Sequence, residues 1–154
     1  MLWLERSDEA EPGRSSAIVN RQEMDKMSYV FSKTVAVSFD QAIIRVTEEL
    51  SNEGFGILTE IDVQATLKRK LDVDFRKYCI LGACNPAFAY RALQSEAHIG
   101  VMLPCNVIVQ EYEDGRVEVA VADPIAMMHA IDNDGLTDFV IQVRGKLRQV
   151  IDCL

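Results

Sequence analysis

The most constraining feature of the sequence is a short apolar run that passes directly into a helix-start signal, at residues 78–86 (Tyr-Cys-Ile-Leu-Gly-Ala-Cys-Asn-Pro). Its first half, with an aromatic and a β-branched residue, is typical of a buried strand. Asn85 is a preferred helix cap, and Pro86 suits the first helical position, where no N–H is needed. Gly82 permits a close approach of the backbone to a neighbouring group. The stretch therefore predicts a buried strand that ends at a helix N-terminus.

Cys84 lies at the corner between this strand and this helix. The positive end of the helix dipole favours a thiolate there, which makes Cys84 the main candidate for a nucleophile or a ligand-binding group. The alternative is a small buried residue that fills the corner. Cys105, which opens a later strand, is a second candidate: it could pair with Cys84 as a redox couple or metal site, although no Cys-x-x-Cys spacing supports this and a structural role is the alternative.

The remaining sulfur residues and the histidines give weaker signals. Cys79 lies within the strand and is predicted to be core, and Cys153 at the chain end is predicted to have no role. With two histidines in the whole sequence, a histidine-rich metal site is excluded, and no metal site is predicted. Three methionines could line an apolar pocket or could simply fill the core: Met102, Met127 and Met128.

Two acids stand on one face of a predicted strand where apolar residues are expected, Glu60 and Asp62. If they were buried together, the pKa of one would rise, which suits acid–base work or cation binding. Lys70 and Arg76 could meet them across the site. The alternative is an exposed sheet edge that carries charge and so avoids edge-to-edge pairing.

Hydrophobic periodicity and turn signals divide the chain into two parts. Residues 1–27 show no sustained period and are predicted to be a tail, with a short helix over residues 16–26 as the alternative. Residues 28–154 form a single domain whose pattern alternates between period 2 and period 3.6. The predicted order is strand 29–37, a helix from Ser38 to about 52, strand 55–63, helix 64–71, strand 78–84, helix 87–97, strands 107–112 and 117–122 around an Asp-Gly turn, and a helix from about 136.

This order predicts an α+β fold, with a single mixed, largely antiparallel sheet and the long helices packed on one face. The second sheet face, expected to carry Tyr112 and the valines of residues 117–121, would then be uncovered. A second copy of the chain would cover it most simply, because a two-fold dimer needs a single self-complementary patch. The sequence therefore predicts a homodimer.

The composition excludes several classes of partner. The net charge is −8 and the basic residues do not cluster enough to hold a phosphate backbone, so nucleic acid and anionic membranes are not expected partners. No segment approaches the roughly 18 apolar residues of a bilayer span. The N-terminus lacks the pattern of a secretory signal, and the cysteine spacing is not that of a disulfide framework, which together predict a cytoplasmic protein.

Four motifs together resemble the bacterial and archaeal domain of unknown function 302: residues 70–76, the run 78–86, Leu-Pro-Cys-Asn-Val at 103–107, and Ala-Asp-Pro at 122–124. The resemblance covers roughly residues 28–154. It implies an α+β fold similar to that of the TATA-box-binding protein, often seen as a dimer, without implying DNA binding. It carries over no activity, cofactor or catalytic residue.

The sequence thus leads to one main functional hypothesis and two alternatives. The first is a cytoplasmic dimeric module that binds a small ligand, with anions among the candidates, near Gly82, Cys84, Asn85 and Cys105. The second is a thiol-dependent enzyme or redox protein that uses Cys84. The third is a structural or regulatory dimer with no pocket, in which the corner around Gly82 is filled and dry.

Overall fold

A computed structural model of the chain describes residues 28–154. The predicted tail over residues 1–27, and with it the alternative of a short helix over residues 16–26, lies outside the described residues. The elements run in the order β1 (Val30–Val35), α1 (Phe39–Asn52), β2 (Gly56–Asp62), α2 (Val63–Leu71), β3 (Tyr78–Cys84), α3 (Pro86–Ser95), a 3₁₀ helix (Ile99–Met102), β4 (Cys105–Glu111), β5 (Val117–Ala122), α4 (Pro124–Met128), a second 3₁₀ helix (Asp134–Leu136) and α5 (Thr137–Cys153).

The described strands form one five-stranded sheet in the order β1-β5-β4-β3-β2. Every neighbouring pair is antiparallel, so the α+β prediction is confirmed while the expectation of a mixed sheet is wrong. The order follows from the connections, since β4 and β5 form the predicted hairpin and β1 pairs with β5 at one edge. The similarity to the TATA-box-binding protein stays a prediction.

The predicted helix starts form as capped N-termini. The Ser38 Oγ accepts a hydrogen bond from the Gln41 N–H at 3.3 Å, and the Asn85 Oδ1 accepts one from the Phe88 N–H at 3.4 Å. Pro86 takes the first position of α3. Because a side-chain cap satisfies N–H groups that have no partner within the helix, these residues set where α1 and α3 begin.

One face of the sheet packs against α1 and α5 and forms the core. The strand residues of this face alternate along β3, β4 and β5, and the helices add apolar stripes from residues 42–50 and 139–151. The buried residues that β3, β4 and β5 contribute to this face are Cys79, Leu81, Ala83, Val107, Val109, Val117, Val119 and Val121. The valines of β5 therefore lie under the helices and not on the uncovered face, which corrects the expectation for that face.

The opposite face, here called the open face, carries none of the clustered core residues. Register pairing aligns one row of mainly small and apolar side chains across all five strands: Ser32, Ala120, Ile108, Ile80 and Ile61. A polar row flanks it on one side, with Glu118, Gln110 and Tyr78 paired in register. Helix α2 buries none of its residues, so it adds nothing to the core.

Two short helices and a cis peptide bond lie at the end of the sheet at which β3 finishes and β4 begins. The 3₁₀ helix Ile99–Met102 and a cis Leu103–Pro104 peptide lead into β4. After β5, the chain forms the five-residue helix α4. Within residues 28–154, no helix is both long and apolar enough to span a bilayer.

Candidate functional site

A cavity of about 180 Å³ lies where β3 passes into α3. It is bordered by α3, the first 3₁₀ helix, α4 and the first half of α5. We call it the Cys84 cavity. Its wall contains neither an acidic nor a basic side chain: Phe55, Ala83, Cys84, Asn85, Phe88, Ala89, Ala92, Val101, Met102, Leu103, Pro104, Cys105, Asn106, Ala122, Pro124, Met127, Met128, Phe139, Val140 and Val143. The predicted corner therefore borders a space large enough for a very small ligand, since an apolar cavity of about 150 Å³ can bind benzene.

Cys84 and Cys105 both line this cavity, as expected for two neighbouring thiols. Ala83 is the register partner of Cys105, so Cys84 follows directly beyond that pair. Burial raises the pKa of the Cys84 thiol, and burial together with the nearby Cys84 raises the pKa of Cys105 to about 11. Burial therefore opposes the Cys84 thiolate that the helix N-terminus is predicted to favour.

Gly82 provides the close approach that the sequence predicts, yet it does not line the cavity. A side chain added there would meet the Thr59 Oγ1 and, at 2.8 Å, the Pro104 Cγ. Asn85 does line the cavity, and its Nδ2 lies 3.1 Å from where a Cβ at Gly54 would stand. The corner is thus filled on the Gly82 side and open on the Cys84 side.

A buried carboxylate fixes the helix that carries two of the cavity methionines. Asp123 is 7% exposed, and its Oδ1 accepts a hydrogen bond from the Ile125 N–H at 2.9 Å, which caps α4. The same carboxylate accepts from the Arg144 Nε at 3.0 Å. Since Arg144 belongs to α5, this pair ties α4 to α5 across the cavity wall.

The four charged residues predicted at the site are not among the residues that line the cavity. Glu60 and Asp62 are exposed on β2 at the sheet edge, opposite Leu81 and Cys79 in register. The Asp62 Oδ1 caps α2 by accepting from the Ala65 N–H at 2.9 Å. The arrangement matches the alternative of an exposed, charged edge strand.

Lys70 and Arg76 do not approach the two acids. Lys70 is exposed on α2, and no ion pair within residues 28–154 joins it to Glu60 or Asp62. Arg76 lies on the open face, where its Nε and Nη2 donate to the Gln110 Oε1 at 3.0 and 2.8 Å. The structure therefore does not bring the predicted charges into one site.

Arg76 belongs to a second group of side chains, here called the open-face cluster: Arg76, Gln110, Tyr112 and Glu118. The Gln110 Nε2 donates to the Tyr112 Oη and to the Glu118 Oε1, both at 3.0 Å, and the Tyr112 Oη donates to the same carboxylate at 3.1 Å. The Arg76 guanidinium also stacks 4.6 Å from the centre of the Phe75 ring. Burial and the neighbouring Glu118 carboxylate raise the pKa of Tyr112.

Sequence reasoning found the two thiols, Asn85 and the methionines, but missed most of the cavity wall and the whole cluster. Phe88 on α3 and Phe139 on α5 each belong to the apolar stripe of their own helix. Such a stripe predicts a core position, but it does not distinguish a cavity wall from solid packing. Gln110 is 6% exposed, and a glutamine in a strand gives no sequence signal of burial. The sequence signal that could have indicated the cluster is the period-2 spacing of Gln110 and Tyr112, which places both side chains on the same face of the strand.

Comparisons with known proteins identify the family. Residues 31–154 match the family described as Domain of unknown function DUF302. The fold is similar to the crystal structure of an uncharacterized conserved DUF302 protein from Bacillus stearothermophilus, with a TM-score of 0.75 and 26% identity over 80% of this chain and 96% of that chain. No curated protein matches the sequence. The chain therefore belongs to the DUF302 family.

Proposed function

We propose that this protein binds a small, largely apolar molecule in the Cys84 cavity. The observation that carries the proposal is an uncharged cavity of about 180 Å³ at the predicted corner. Burying the apolar surface of a ligand there would contribute about 25 cal/mol for each Å² removed from water. No charged side chain lines the cavity, so shape complementarity and apolar contacts would dominate ligand recognition.

A polar or anionic group on the ligand is best accommodated at the α3 end of the cavity. Asn85 and Asn106 are the amide side chains of the wall, which also contains the thiols of Cys84 and Cys105. The N-terminus of α3 adds a partial positive charge at this end. A ligand with an apolar body and one small polar or anionic end fits these features together.

The thiol chemistry supports binding over catalysis. A cysteine nucleophile reacts as the thiolate, and burial raises the pKa of Cys84, which keeps the thiol protonated near neutral pH. A dimer without a pocket fits less well, because the cavity is present even though the Gly82 side of the corner is filled. The free state of all four cysteines agrees with the proposed cytoplasmic location.

Filling the cavity tests the proposal. Ala89 lines the cavity, whereas Ala87 on the same helix is exposed and does not. We expect wild type to bind anilinonaphthalene sulfonate, an apolar fluorophore with one anionic group, at a single saturable site. Ala89→Leu should weaken this binding by about tenfold or more, because the leucine occupies the space of the probe.

The matched control is Ala87→Leu, which should bind the fluorophore as wild type does. Circular dichroism and thermal unfolding establish that both variants fold. The proposal is overturned if wild type shows no saturable binding, or if folded Ala89→Leu binds as tightly as wild type.

We also propose that two copies of the chain pair through their open faces. The apolar row runs across all five strands of the sheet, and Arg76 and Glu118 beside it form no ion pair within residues 28–154. In a two-fold interface, Arg76 of one copy can meet Glu118 of the other, twice. Such an arrangement would use one self-complementary patch.

A charge exchange tests this dimer. Arg76→Glu or Glu118→Arg alone should shift the protein toward monomer in light scattering after size exclusion, because like charges would face each other. The double variant should recover the dimer. A monomeric wild type at tens of micromolar, or a double variant no more dimeric than the singles, would contradict the proposal.

A further inference from the structure

Sulfur is concentrated in the wall of the Cys84 cavity. Residues 28–154 contain four cysteines and three methionines, and five of these seven side chains line the cavity: Cys84, Cys105, Met102, Met127 and Met128. The other two lie elsewhere, with Cys79 buried under the helices and Cys153 exposed at the end of α5. All the methionines of the described chain thus border one small space.

The sulfur residues come from four different parts of the fold. Cys84 ends β3, Cys105 begins the neighbouring β4, Met102 ends the first 3₁₀ helix, and the other two methionines lie on α4. The two thiols are close enough for a charge on Cys84 to raise the pKa of Cys105. Since the Asp123 carboxylate ties α4 to α5, the methionine side of the wall is held by a defined contact.

The sulfur ligands of this wall favour some metal ions over others. Thiolate and thioether sulfur are soft ligands that favour Cu(I), whereas magnesium and calcium require oxygen ligands. The cavity wall holds no carboxylate and no imidazole. In residues 28–154 no group of three or more histidine, cysteine, aspartate or glutamate side chains could hold a metal ion, so a site with three or more ligands would need the methionines.

We propose that the sulfur-lined wall of the cavity binds one soft monovalent metal ion, Cu(I) or its chemical surrogate Ag(I), with Cys84 as the thiolate ligand and methionine thioethers as neutral ligands. The Cys84 thiol forms an S–metal bond and releases its proton to solvent, and no electron is transferred. A monovalent cation with one thiolate is electrically neutral, which suits an uncharged wall. The inference goes beyond the small-molecule proposal, because it requires no organic ligand.

Anaerobic metal titration of the reduced full chain tests the inference. We expect one equivalent of Ag(I) to give an ultraviolet thiolate-to-metal absorption band, and Cu(I) to be retained in competition with bathocuproine disulfonate. Cys84→Ser should weaken the affinity by about a hundredfold, and the double variant Met127→Leu/Met128→Leu by about tenfold. Cys153→Ser is the matched control, and its affinity should equal that of wild type.

The inference is overturned if wild type holds Cu(I) no better than free cysteine does, or if the affinity falls with Cys153→Ser and not with Cys84→Ser. If Cys84→Ser does not fold, the double variant Met127→Leu/Met128→Leu provides the test. Leucine is nearly isosteric with methionine, so an unchanged metal affinity of this variant would exclude the thioethers as ligands. Fluorophore binding separates the two proposals: a protein that binds anilinonaphthalene sulfonate and no metal retains the first and loses this one.

Discussion

Strands β3 and β4 lead to two contrasting regions, the open-face cluster near one end and the Cys84 cavity at the other. In the cluster, Gln110 uses its oxygen and its nitrogen to join Arg76 to Glu118, and aromatic rings surround the guanidinium. In the cavity, the wall is uncharged and the space between its side chains is empty of protein atoms. Both regions border the same sheet, yet one consists of polar side chains joined by hydrogen bonds and the other of uncharged side chains around a cavity.

This difference indicates which region is suited to a ligand. Among the described residues no buried side-chain nitrogen or oxygen lacks a hydrogen-bond partner, so a ligand that reached the buried Gln110 amide would have to replace existing hydrogen bonds. The cavity requires no such exchange. A ligand there replaces empty space with contacts, which is the more favourable starting point for binding.

The largest expected effect concerns the filled side of the cavity corner. Gly82→Val should lower the free energy of unfolding by about 3 kcal/mol, because its side chain would overlap Thr59 and Pro104. Gly56→Val, on the neighbouring strand, is the control, since an added Cβ there meets nothing within 4 Å. Urea unfolding of both variants measures the difference. Equal stability of the two variants would show that the corner has room to adjust.

A smaller effect is expected at the centre of the open-face cluster. Gln110→Met keeps the length of the side chain and removes both hydrogen-bonding groups, which should cost about 2 kcal/mol of unfolding free energy. Asn106→Leu, an exposed position on the same strand and face, should change stability by less than about 0.5 kcal/mol. If chemical denaturation gives the same small change for both, the cluster is a surface feature that does not stabilise the fold.

The smallest expected effect is the pH dependence of stability that comes from Cys105 in the cavity wall. Burial raises the pKa of Cys105 to about 11 from its ordinary value of 9.0, so above pH 9 the unfolded chain loses this proton while the folded chain retains it. The folded state then binds more protons, and stability falls as pH rises. From pH 8 to pH 10 this group should account for a loss of about 1 kcal/mol.

The measurement is the unfolding free energy at both pH values for wild type, Cys105→Ala and the exposed control Cys153→Ala. The loss between pH 8 and pH 10 should be smaller by that amount in Cys105→Ala alone. An identical pH dependence in all three proteins would mean that the Cys105 thiol is not held in an environment that opposes its charge.

Local sequence signals determined the secondary structure and the position of the corner. Asn85 and Pro86 specify a helix start through groups within three residues of each other, and period-2 alternation identifies the strands without reference to the rest of the chain. The same signals located Cys84, Asn85 and Cys105 at the cavity, and Gly82 beside it. Short-range hydrogen bonding and steric preference are sufficient for these features.

Long-range packing decided the rest. Whether Arg76 turns toward Glu60 or toward Gln110, and which face the β5 valines present, depends on strand register and on where the helices dock, which no local pattern contains. Burial also opposes the predicted Cys84 thiolate, since desolvation depends on every element around the cavity. The sequence alone determined where a site could form, and the tertiary structure decided that it is an uncharged, sulfur-lined space.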